Sequence, residues 1–179
     1  LQLNGWSMAW DLVKATFQIF YLLWWVFALA ILLAVLKALP NWIMNYRARA
    51  AGVDKVDKMN GEMFEIWLGH QFSKAGYDVK HTRYQKDHGA DLIITAPGGV
   101  KIAVQAKKLS KRKDRVGAKV LGEVLRGKEY YDCDQSMVVT NQGYTEQARN
   151  EASRFGIELI DREKLIEFVR RINLKTKNK

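Results

Sequence analysis

The chain has 179 residues, 48% of them hydrophobic, and carries 29 Lys and Arg against 19 Asp and Glu, a net charge of +10. That length leaves room for one compact domain rather than several, and the basic excess points toward polyanions, either nucleic acid or anionic lipid headgroups. Cys133 is the only cysteine, which excludes an intrachain disulfide and a cysteine-built zinc site.

The first element in chain order is an uncharged run from Ala15 to Leu36, flanked by Lys14 and Lys37. As a helix its 22 residues extend roughly 33 Å, enough to cross a hydrocarbon core of about 30 Å. The run is apolar all round, so it reads as a spanning helix rather than one lying on a membrane surface. Trp6 and Trp10 precede it, and Trp42 and Tyr46 follow it, at positions suited to the two interfaces. Lys37, Arg47, Arg49, Lys55 and Lys58 follow the run while only Lys14 precedes it. Positive charge on that side predicts that residues 41–179 face the cytoplasm at the cell's inner membrane, with the short N-terminal segment outside. The expected organisation is an anchor at 1–40, a neck at 41–58, a soluble domain at 59–170 and a basic tail at 171–179. Pro40 is expected to bend the chain where the anchor ends.

Beyond the neck, Asn60 is a candidate cap for a helix over about 61–75, with Phe64, Leu68 and Phe72 as its buried stripe and Gly76 at its end. Three strands follow, at about 77–84, 90–95 and 100–107. Pro97-Gly98-Gly99 joins the last two as a hairpin. A helix at about 116–131, a strand at 136–140, a helix at about 146–154 behind Thr145, a strand at 157–160 and a helix behind Asp161 complete the order. An α-β-β-β-α-β-α-β-α sequence of this kind predicts an α/β fold with a mixed sheet covered by helices.

One group of residues has the chemistry of phosphodiester hydrolysis. Asp91 opens the second strand, while Gln105 and Lys107 lie two apart on the third and share a face. Glu65 lies on the preceding helix. Hydrolysis requires an activated water, stabilisation of the phosphorane-like transition state and help for the leaving oxygen, all of which Mg²⁺ (or Mn²⁺) supports. Asp91, Glu65, the Gln105 side-chain amide and backbone carbonyls are suitable oxygen ligands, and Lys107 can orient the water and offset phosphate charge. The run from Lys107 to Arg115 holds six bases in nine residues, of which Lys108, Lys111, Arg112, Lys113 and Arg115 are candidate phosphate contacts. Asp87 and His88 are candidates to line the site. Gln142 and Tyr144 are candidates to reach DNA from the end of the next strand.

The stretch Gly89-Ala90-Asp91-Leu92-Ile93, followed by Val104-Gln105-Ala106-Lys107, resembles the Mrr-type restriction endonuclease family of the PD-(D/E)xK nuclease superfamily, which often carries Gln at the second acidic position. The similarity runs from about Phe64 to Phe168. It includes Gly76-Tyr77-Asp78-Val79, Val138-Val139-Thr140, Gly143-Tyr144-Thr145 and Gly156-Ile157-Glu158-Leu159-Ile160-Asp161. It implies a restriction-endonuclease-like sheet and a metal-dependent DNA endonuclease with Asp91, Gln105 and Lys107 as its catalytic core and Glu65 as the helix-borne acidic partner. A role in defence against foreign DNA follows by family analogy alone. Two features depart from the pattern: an apolar helix where the family commonly has a soluble recognition domain, and His88 where a Gly is frequent. The implied partners are DNA and the lipid bilayer. Cutting both strands calls for two active sites, hence a second copy of the chain or another membrane protein. The competing expectation is a catalytically silent module that tethers DNA or a protein to the membrane.

Overall fold

The computed structural model describes residues 5–82 and 88–177. Two compact units divide between Asn45 and Tyr46. The first is made of the greater part of a helix, α1 (Gly5–Ala51). Its segment Ala9–Lys37 is long and apolar enough to cross a membrane, at about 43 Å for 29 residues. Every side chain from Ala15 to Leu36 is exposed. The helix does not end at Pro40 as expected. A proline removes one backbone hydrogen bond and crowds the carbonyl four residues back, a cost that a helix of 47 residues can carry.

The second unit begins its packing earlier than the sequence indicates. A 3-10 helix at Val53–Lys58, expected to be neck, has Val53 and Val56 fully buried. Six residues are too few to display a period, which is why this segment is not recognisable by pattern. Asn60 then caps α2 (Gly61–Lys74) by accepting from Met63 N at 2.8 Å. Gly76 ends the helix with φ +97° and donates to Ser73 O at 3.0 Å.

Strands β1 (Asp78–His81), β2 (Leu92–Thr95) and β3 (Lys101–Lys107) pair antiparallel. The β2–β3 hairpin closes as expected around Pro97-Gly98-Gly99, with Ala96 N donating to Val100 O at 2.9 Å. The order then departs slightly from expectation. Arg115–Val116 form a short strand, β4, so the next helix, α3 (Lys119–Tyr130), starts later than 116. After β5 (Gln135–Thr140), Gly143–Tyr144 form β6, which pairs in parallel with β4. Next come α4 (Glu146–Phe155), β7 (Ile157–Ile160) and α5 (Arg162–Lys177). Thr145 caps α4 through Ala148 N, and Asp161 accepts from Lys164 N in the first turn of α5.

The main sheet runs β1-β2-β3-β5-β7, with β3, β5 and β7 mutually parallel, a mixed sheet as expected. Side-chain alternation divides it into two faces. Ile93, Ala103 and Val138 pack against Val120, Leu121 and Val124 of α3 and Ala148 and Ala152 of α4. Ile102, Met137 and Val139 face α2 and α5, where Leu68, Phe72 and Phe168 line a cavity of about 340 Å³. Gln105 and Lys107 share the parity of Ala103, which places them on the α3 side of the sheet.

Candidate active site

The loop that carries Asp91 into β2 lies against α3. Gly89 has φ +93°, and a Cβ there would lie 1.9 Å from the carbonyl oxygen of Glu123. At Gly127 of α3, a Cβ would lie 2.7 Å from that of Ala90. Both positions require glycine, and together they let the loop rest directly on helical backbone. Two further contacts hold it. His88 stacks on Tyr130 with ring centroids 3.6 Å apart, and the Thr82 hydroxyl donates to Ala90 O at 2.5 Å. His88 therefore clips the loop to the end of α3. Asp87, its expected companion, lies outside the described residues.

From this loop Asp91 N donates to Val104 O at 2.9 Å, extending the β2–β3 ladder by one step. Asp91 thus comes to lie opposite Gln105. Its Oδ2 accepts two hydrogen bonds, from Gln105 Nε2 at 2.5 Å and from Ala106 N at 2.7 Å. Both are charge-assisted and fix the carboxylate against the end of β3. Gln105 donates through its nitrogen, so its carbonyl oxygen Oε1 is the atom left to face a cation. A carboxylate, an amide carbonyl and nearby main-chain carbonyls form a hard-oxygen set of the kind Mg²⁺ takes. Among the described residues no cluster of three His, Cys, Asp or Glu is suited to a metal. Any metal here would rely on the amide and main-chain oxygens as well as on acids.

Lys107 is exposed at the last position of β3, and its carbonyl accepts from the Thr140 hydroxyl at 2.7 Å. Glu65 is half-buried on α2, next to Phe64, which stacks on Trp67. It belongs to the helical layer opposite the face from which Gln105 projects. The mostly apolar cavity also lies on that opposite face, away from Gln105, with Glu158 and Gln135 among its lining residues.

The basic run leaves Lys107 as a loop tied at both ends. Near its start, Leu109 N donates to Asn141 Oδ1 at 2.8 Å and Asn141 Nδ2 donates back to Leu109 O at 3.0 Å. At its end is the β4–β6 pair. Lys111, Arg112 and Lys113 are exposed and Lys108 is half-buried. The Arg115 guanidinium donates to Asp114 O at 2.9 Å and Arg112 O at 3.3 Å, so it staples the loop as well as adding charge. Two sequence expectations are corrected. Gln142 and Tyr144 are buried, and the Tyr144 hydroxyl donates to Val138 O at 2.7 Å, so neither presents itself to DNA. Burial also pushes the Tyr144 phenol well above its usual range.

Pattern reading also missed an ion pair beside the loop, with a buried arginine and an exposed carboxylate. Arg162, whose side chain is 9% exposed, donates to both carboxylate oxygens of Asp57 at 2.7 and 2.8 Å and to Asn141 O at 3.0 Å. Partial burial works to raise the Asp57 carboxyl. The Arg162 guanidinium, the Asn141 amide and the charge of Lys108 outweigh that and hold it below the ordinary carboxylate range. The two partners stand 105 residues apart, and no local signal joins them.

The fold is similar to that of the DNA modification-dependent restriction endonuclease AspBHI, with TM-score 0.57 and 18% identity over 71% of this chain and 36% of that one. The MspJI restriction endonuclease, solved with a 27-mer oligonucleotide, gives TM-score 0.51 and 21% identity over 70% of this chain and 32% of that one. A crystallised protein of unknown function, AF1548, gives TM-score 0.50 and 16% identity over 57% of this chain and 58% of that one. The chain therefore spans about a third of the length of the two restriction enzymes. No protein of curated function matches it. The restriction endonuclease family of the Mrr type matches residues 56–169, which include the 3-10 turn at Asp57, the Asp91–Gln105 pair and the start of α5. The match covers well over half of the chain, and on that ground the chain belongs to the Mrr-type restriction endonuclease family.

Proposed function

We propose that the chain is a divalent-metal-dependent DNA endonuclease that works beside a membrane. The observation that carries the reading is the Asp91 carboxylate, held by Gln105 Nε2 and Ala106 N at the end of β3, two residues before an exposed Lys107. The oxygens of Asp91 and Gln105 would hold Mg²⁺ or Mn²⁺, with Glu65 contributing from α2. When bound, that ion supplies Lewis acidity and a more acidic water. Lys107 orients the attacking water, accepts or shares its proton, and offsets the charge that builds on the phosphoryl oxygens. Lys108, Lys111, Arg112 and Lys113 hold the flanking phosphates. Contacts of that kind fix register along DNA without reading sequence.

The apolar segment Ala9–Lys37 supports the location. Read as a single-pass anchor, with its Lys and Arg excess on the far side of Leu36, it puts the nuclease on the cytoplasmic face of the inner membrane. DNA passing near the bilayer is then the substrate at hand. A role against incoming foreign DNA follows from the family alone. Paired nicks would need a second copy of the chain or a membrane-protein partner.

The test uses the full chain in lipid nanodiscs with supercoiled plasmid. Mg²⁺ is expected to give nicked and linear DNA, chelation to stop it, and re-addition to restore it. Tight plasmid binding with no cut under Mg²⁺ or Mn²⁺ would overturn the enzyme reading in favour of a tether. Release of the chain from membranes by alkaline carbonate would overturn the anchor.

A further inference from the structure

Residues 140 and 141 do something the sheet alone does not. The β3–β5 ladder ends at the pair Lys107–Thr140. Past that point the Thr140 hydroxyl holds Lys107 O, and the fully buried Asn141 carboxamide holds both the N–H and the C=O of Leu109. Asn141 therefore imitates one more rung of strand pairing beyond the sheet's edge. Two further bonds tie it in: Nδ2 also donates to Asp57 Oδ1 at 3.2 Å, and the main-chain carbonyl of Asn141 accepts from Arg162 Nη1 at 3.0 Å. Asp57 and Arg162 close the set with their bidentate pair. A loop with six bases in nine residues repels itself and extends unless something ties it. The tie falls two residues after Lys107 and two before Lys111.

We propose that Asn141 is a positioning residue, oriented by the Asp57–Arg162 pair, that sets the place of Lys107 and of the phosphate-facing bases Lys108–Lys113. The proposal rests on the nuclease reading above and names part of its machinery. It also gives the turn at residues 53–58, which follows directly on α1, a share in supporting the site.

The experiment compares the full chain in nanodiscs with Asn141→Ala, Asp57→Asn and Val169→Ala, the last a buried apolar position on α5 that makes no hydrogen bond through its side chain. Melting temperature, plasmid-cleavage kcat and KM, and the salt dependence of duplex binding in chelator are measured for each. Asn141→Ala is expected to lower kcat by at least about tenfold, because a displacement near 1 Å costs about a hundredfold. Its metal-free slope of log K against log salt is expected to shrink by about one, the contribution of one lost phosphate contact. Val169→Ala is expected to melt earlier while keeping the wild-type kcat and slope. If Asn141→Ala melts earlier yet keeps kcat and slope, its role is structural only and the proposal is overturned. If Asn141→Ala does not fold, Asp57→Asn decides by the same two readouts, with an expected loss in kcat of about threefold or more. A wild-type chain that cuts nothing refutes the nuclease reading, and the metal-free salt slope still decides whether Asn141 places the bases.

Discussion

Gly89→Ala is the substitution whose cost is most directly worked from the structure. The added methyl would stand 1.9 Å from the Glu123 carbonyl oxygen and 2.8 Å from its carbon, on a residue with φ +93°. Left-handed backbone costs an L-residue about 1–2 kcal/mol, and forcing a methyl into closed packing costs about 1–3 kcal/mol more. The sum is about 2–5 kcal/mol, a large share of the roughly 5–15 kcal/mol that holds a domain together. To relieve the contact, the loop or α3 must give by more than about 1 Å, and Asp91 is two residues away. If Asp91 holds the metal as proposed, a shift of that size lowers kcat by about a hundredfold. Gly98→Ala is the control, since its methyl would meet nothing within 4 Å. Scanning calorimetry on the nanodisc-bound chain should show a melting temperature lowered by roughly 10 °C for Gly89→Ala, with plasmid cleavage nearly lost, and little change for Gly98→Ala. A Gly89→Ala protein that melts and cuts like wild type would refute the view that α3 sets the catalytic loop.

Three further outcomes follow from the same geometry. Asp57 has a depressed folded-state carboxyl, so its stabilisation is complete above the unfolded value near 3.9 and is lost as pH falls through the folded one. Melting below about pH 4 should therefore be steeper for wild type than for Asp57→Asn, and parallel curves would count against the pair. A soluble fragment 53–179 should fold, whereas 59–179 loses two fully buried valines worth about 1.5–3 kcal/mol each together with the carboxylate that pairs with Arg162. Circular dichroism distinguishes them, and a stable 59–179 would show that the turn is dispensable. Replacing Lys111, Arg112 and Lys113 together with Gln should weaken binding of unrelated duplexes equally and reduce the salt slope by about three. A loss confined to one sequence would indicate base readout instead.

Some of this was legible in the residues alone. The caps at Asn60 and Thr145, the Pro97-Gly98-Gly99 hairpin and the Gln105–Lys107 period are local, and local rules recover them. The opposition of Asp91 and Gln105 follows from a short hairpin, whose register leaves few choices. The network behind the site was not legible. Asp57, Asn141 and Arg162 meet across 105 and 84 residues of sequence, and none belongs to a periodic pattern. The requirement for Gly127 is likewise visible only once α3 lies on the Asp91 loop. The burial of Tyr144 reverses a reading based on its place at a strand end, because β6 turns its ring inward to hydrogen-bond Val138 O.

The central claim is that Asp91 and Lys107 perform metal-dependent phosphodiester cleavage. The most direct test is single-turnover cutting of end-labelled duplex across a Mg²⁺ series by the full chain, Asp91→Ala and Lys107→Ala, with duplex binding in chelator measured alongside. The expected result is saturable Mg²⁺-dependent cutting by wild type, at least a thousandfold lost in both variants, with metal-free binding retained by Asp91→Ala. Equal cutting by all three proteins would contradict it.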